Sequence, residues 1–142
     1  MKNALALALL ASTLLTTGCN TLVGVDNADT REASFSNITG ALVTRYNTDT
    51  EAVFNAVKRS LDQSGGTLRT GESDERGPNN ELLAVTVFAR TVGDLEIKID
   101  VAKVEDPITK VAFTQCTVKY GFFGNLPQSQ QLVSKITSNL RR

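Results

Sequence analysis

The 142-residue chain has no histidine, no tryptophan, only two cysteines and no excess of charge of either sign, with 15 basic and 15 acidic residues. Without histidine the usual general base, the triads built on it and the commonest metal ligand are all missing. No Gly-x-Ser-x-Gly, Walker-type or dinucleotide-binding glycine pattern occurs either. A non-enzymatic protein with no cofactor and no metal site is therefore expected. The balanced charge provides no basic field to hold a phosphate backbone, which argues against nucleic-acid partners.

What is present begins at the N-terminus. Lys2 precedes an apolar run from Ala4 to Leu15, followed by the small residues Thr16, Thr17 and Gly18 and then Cys19. A short positive start, a greasy middle and small residues before a cut are the three zones of a secretory signal. The run is too short for a permanent membrane span, which needs ~20 apolar residues. Thr17-Gly18-Cys19 resembles the lipobox of bacterial lipoproteins, although Thr16 stands where that motif usually has leucine and Leu15 lies one step further out. The resemblance implies that residues 1–18 are a signal peptide and that Cys19 is the lipidation site. It also implies that a lipid anchor is the protein's partner in the membrane. Asn20 after the cysteine implies sorting to the outer membrane, with the domain facing the periplasm or the cell surface.

If Cys19 is acylated, Cys116 is the only remaining thiol and no intramolecular disulfide can form. Between Thr114 and Val118, in a β-rich run, Cys116 reads as a small buried hydrophobe. Residues 19–36 carry little apolar periodicity and read as the lipidated N-terminus and a flexible tether, with a coil span of ~20–25 Å. Residues 37–142 then form one globular domain of ordinary size.

Within that domain Asn37 to Tyr46 predicts a first strand. Thr48-x-x-Glu51 has the form of a capping box. It opens a helix to about Ser64 with Val53, Phe54, Val57 and Leu61 on one stripe, closed by Gly65-Gly66. A short strand at 67–71 precedes a polar stretch, 72–80, read as a solvated turn because its acids lack the spacing of a calcium loop. Leu83, Val85, Val87 and Ala89 alternate on one strand, and Leu95, Ile97, Ile99 and Val101 on the next. A two-residue turn would set these apolar sets on opposite faces, so a three-residue loop, Thr91-Val92-Gly93, is expected, pairing Val87 with Ile97. Broken alternation at Ala102-Lys103-Val104 suggests a bulge. A last strand follows over 109–120, with Val111 and Phe113 on one face. Asn125 then caps a second helix that has Pro127 in its first turn and Leu132, Val133, Ile136 and Leu140 on its stripe. The fold expected is α+β: one antiparallel sheet of about four to five strands, in the order strand, helix, four strands, helix, with both helices on one face.

The segment Ala52-Val53-Phe54-Asn55-Ala56-Val57, the turn Phe123-Gly124-Asn125 and the closing Ser134-Lys135-Ile136 to Asn139-Leu140 are similar to those of a family of short bacterial envelope lipoproteins built on a domain of unknown function. The resemblance covers roughly Gly40 to Leu140, with Asn125 where the family has Asp. It implies a cell-envelope location and carries no reaction. The expected function is a non-enzymatic binding or assembly module at the outer membrane, acting in envelope integrity or stress signalling. Phe88, Phe122 and Phe123 are its candidate contacts with an envelope protein, the other role open to Phe122 and to Phe123 being to staple the second helix to the sheet. The alternative is a carrier of a small apolar ligand, a lipid or peptidoglycan fragment, in a cavity lined by Phe54, Val57, Ile97 and Ile99.

Overall fold

The computed structural model describes residues 20–22 and 30–141. The signal-like run and Cys19 lie outside the described residues. The elements are β1 (Asn20–Leu22), β2 (Thr30–Ser36), β3 (Ala41–Tyr46), α1 (Thr50–Asp62), β4 (Thr67–Arg76), β5 (Leu82–Thr91), β6 (Glu96–Glu105), β7 (Ala112–Tyr120) and α2 (Leu126–Leu140). All strands join one antiparallel sheet in the order β1-β2-β3-β7-β6-β5-β4. The α+β class and single sheet are as expected, but the described residues form seven strands rather than four or five.

The core follows from period-2 alternation. Leu42 and Tyr46 of β3, Cys116 and Val118 of β7, Ile97, Ile99 and Val101 of β6, and Val85, Val87 and Ala89 of β5 are buried on one face of the sheet. Both helices cover that face with the apolar stripes expected of them, Val53, Phe54, Val57 and Leu61 from α1 and Leu132, Val133 and Ile136 from α2. Burying each large aliphatic side chain contributes about 1.5–3 kcal/mol. Where the helices meet, the contact is partly polar. Buried Asn139 donates to Ser60 Oγ and Gln63 Oε1, both at 2.9 Å. Tyr46 and Thr137 share a buried hydrogen bond of 3.1 Å, and Thr137 donates to the Val133 carbonyl at 2.9 Å, so the Tyr46 hydroxyl is the donor to Thr137.

Several expectations are corrected. The stretch read as tether contributes β1 and β2, with Ala33 and Phe35 buried, so the folded part begins before residue 37. Its polar composition hid an outer strand that needs few apolar residues. The first expected strand divides: 37–40 is a turn with Ile38 exposed, and β3 starts at Ala41. Asp49, not Thr48, caps α1, accepting the Ala52 amide at 2.8 Å. Thr48 is held outside the helix because its carbonyl accepts the Thr114 hydroxyl at 2.6 Å. Residues 72–76, read as turn, complete a ten-residue β4. An edge strand wet on both faces needs no alternation, and its charges guard the unpaired edge.

The β5–β6 hairpin keeps the expected three-residue loop but moves it by one, to Val92-Gly93-Asp94, with Thr91 and Leu95 facing each other across it. Asp94, the last residue of this loop, is left-handed at φ 61°. Val87 therefore faces Ile99 rather than Ile97. This two-residue change of register preserves parity, so the apolar faces still match. No bulge interrupts β6, which pairs through to Glu105. The alternation breaks because Val104 faces the open side, opposite Phe113, whose ring lies 5.1 Å from the Arg45 guanidinium carbon. Residues 106–111 form a turn in which Asp106 accepts the Ile108 and Thr109 amides, leaving Val111 exposed before β7.

Cys116 is fully buried, as expected, and burial pushes its thiol from 9.0 up to about 12. An unfolded chain releases this proton first as pH rises, so the neutral thiol's stabilisation is complete below pH 9 and is lost between 9 and about 12. The loss approaches ~1.4 kcal/mol per pH unit. Burial also raises Tyr46, which adds to the alkaline loss above pH 10. Urea unfolding between pH 7 and 11 should show constant stability to about pH 9 and a decline beyond it. Alkylation at pH 8 should reach the Cys116 peptide only when urea unfolds the chain; labelling of the folded protein contradicts this.

Candidate functional site

The chain turns from β7 into α2 through Gly121-Phe122-Phe123-Gly124, with both glycines at positive φ, 62° and 80°. Asn125 caps α2 as expected, accepting the Gln128 amide at 3.0 Å. The turn is seated on another. A side chain on Gly40 would strike the Phe123 carbonyl, and one on Gly124 would strike the Gly40 backbone, so the 37–40 and 121–124 turns lie back to back. Gly121 is tied down in turn, its amide donating to the Glu96 carbonyl at 2.7 Å.

This seat pushes Phe122 and Phe123 outward, 83% and 86% exposed. Their rings meet edge to face at 5.0 Å between centroids, and Lys119 Nζ stands 5.5 Å from the centre of Phe122. Neither phenylalanine staples α2 to the sheet. Phe88 behaves differently: half-buried on the open face, it is the cross-strand neighbour of Lys98, which neighbours Lys119 in turn. Glu96, Lys98, Lys119, Gly121 and Phe122 line a shallow cleft of about 360 Å³. The structure thus joins Phe122 and Phe123 and links Phe88 to them only through two lysines.

Sequence reasoning missed the rest of this end. The register places the 37–40 turn, the 121–124 turn, the β5–β6 loop and the start of β4 at one end of the sheet. Ile38, Leu68 and Val92 project there, all exposed. The available signal was an apolar residue inside polar turn sequences, Asn37-Ile38-Thr39-Gly40 and Thr91-Val92-Gly93-Asp94.

At the opposite end a cleft of about 250 Å³ is lined by Asn47 to Thr50, Glu81, Lys103 and 112–114. There Lys103 Nζ binds Glu81 Oε1 at 2.6 Å. No group of three or more metal-ligating side chains stands together among the described residues. Phe54, Val57, Ile97 and Ile99, named as the lining of a ligand cavity, are packed in the core, and the clefts described above are lined by other residues.

Fold and site define a small α+β domain, one antiparallel sheet covered on one face by two helices, with an aromatic turn projecting from one end. The chain belongs to the family described as Protein of unknown function (DUF3568), whose model matches residues 2–139. That span takes in the N-terminal apolar run as well as the domain. No curated protein matches the chain.

Gly40→Ala should lower unfolding stability by about 2–4 kcal/mol, combining the left-handed backbone penalty with overpacking against the Phe123 carbonyl. Urea unfolding measures it. A change below ~0.5 kcal/mol, the range of ordinary surface substitutions, contradicts the back-to-back seat.

Proposed function

We propose that the protein is a lipid-anchored, non-enzymatic binding or assembly module of the bacterial outer membrane, working in envelope integrity or stress signalling. One observation carries the proposal: two phenylalanines are held fully outward on a turn whose backbone is fixed from both sides. Exposed aromatics lose less freedom on binding when their backbone is already rigid, so a fixed pair is suited to contact. The apolar run ending at Cys19 supports the anchor, and the family match includes that segment. Lys119 and Lys98 extend the contact region from Phe122 towards Phe88 across the open face. The packed positions of Phe54, Val57, Ile97 and Ile99 favour this reading over the ligand carrier.

The double variant Phe122→Ser, Phe123→Ser removes exposed rings only, so its urea unfolding should match the parent within ~0.5 kcal/mol. Crosslinking and pull-down from native envelopes should lose the contacts made by the parent. Loss of stability, or an unchanged crosslinking pattern, would sink the contact role. Phe88→Ser is the useful contrast, because its half-buried ring should cost stability. Mass spectrometry of the mature N-terminus tests the anchor, with acyl chains on Cys19 expected.

A further inference from the structure

We infer that the end of the sheet bearing Phe122 and Phe123 rests on the lipid bilayer, with the aromatic turn dipping into its interface. The inference rests on the lipid-anchored reading above and takes the bilayer, rather than an envelope protein, as the surface that the aromatic turn meets. Its first support is where the chain leaves the described residues. Asn20 pairs with Ser36, the residue directly before the 37–40 turn, and that turn is locked to 121–124 through Gly40 and Gly124. Cys19 is one residue, ~3.8 Å, from Asn20. An acyl group on Cys19 therefore brings the membrane to this end of the molecule and to no other.

The second support is the distribution of exposed apolar side chains. Ile38, Leu68, Val92, Phe122 and Phe123 crowd this end, while among the described residues Ile108 alone is comparably exposed at the other, with Val111 less so. They come from three turns and the start of β4, far apart in sequence, so local composition does not explain the cluster. Aromatic and large aliphatic side chains backed by basic groups suit the boundary between headgroups and acyl chains. Lys119 beside Phe122 is placed to meet lipid phosphates, and Arg90 is already neutralised by Asp94 at 2.6 Å. Among the described residues no helix is long and apolar enough to cross a membrane. In this pose the cleft between Glu81, Lys103 and Thr114 faces away from the bilayer.

The chain has no tryptophan, so one introduced indole reports alone. Full-length Phe123→Trp and Ile108→Trp proteins, purified from membranes, are reconstituted into phosphatidylethanolamine–phosphatidylglycerol vesicles containing acyl-brominated lipid. Both positions are exposed, so neither change threatens the fold. Emission from Phe123→Trp should be blue-shifted and quenched several-fold more than that from Ile108→Trp, which should stay water-like. Equal quenching, or none at Phe123→Trp, overturns the inference; crosslinking of the turn to an envelope protein would then identify a protein as the occupant. Intact mass decides the anchor separately. If Cys19 carries no acyl chain the anchored reading fails, and quenching of the same full-length proteins by these vesicles still decides whether this end meets lipid.

Discussion

The constraint on which the structure depends is one-sided burial of an antiparallel sheet. Each strand shows alternate side chains to the helices and to the open face, so the apolar sets of adjacent strands must agree in parity. Val85, Val87 and Ala89 face Val101, Ile99 and Ile97 on these terms, and Val118 faces Ile99 and Leu42. With the buried face common to β3, β7, β6 and β5, two narrow helical stripes are enough to close it. The polar seam of Asn139, Ser60 and Gln63, with Tyr46 on Thr137, then sets how the helices meet. Such fully satisfied buried bonds add about 0.5–1.5 kcal/mol each and favour one arrangement over its neighbours.

The edge of the sheet is managed by charge rather than packing. β4 is exposed over nearly its whole length and meets solvent with Arg69, Glu72, Asp74 and Arg76. Arg69 reaches Asp62 of α1 at 3.0 Å, and Arg76 reaches Glu51 at 3.6 Å. Exposed pairs of this kind contribute 0–1 kcal/mol, so they are better understood as protection against strand addition than as a source of stability. The turn end has a different economy: Gly40 and Gly124 leave out side chains so that two backbones can touch, and Phe122 and Phe123 are displaced outward as the geometric consequence. The exposure of these rings is thus a property of the seat beneath them.

Legibility in the sequence tracked how local the cause was. The helices were legible from stripes such as Val53, Phe54, Val57 and Leu61, and the α2 start from Asn125 and Pro127. The α1 cap was misplaced by one residue because Asp49 and Thr48 are both competent. A hydrogen bond from Thr114, 66 positions away, held Thr48 out of the helix. β2 and the second half of β4 were missed because outer strands satisfy their backbones with little apolar pattern. Val104 looked like a defect in alternation because its partner, Phe113, lies on the open face.

The sequence by itself determined the α+β class, the two helices, the paired central strands and the absence of histidine chemistry, because periodicity and residue type act at short range. Only the tertiary structure decided that Phe122 and Phe123 project while Phe88 is half-buried, and that Ile38, Leu68 and Val92 join them. It alone decided that Asn20 lies at that same end. The reason is that strand order and the Gly40–Gly124 contact bring together segments from Asn20 to Gly124, and no local pattern records which turns share one end of a sheet.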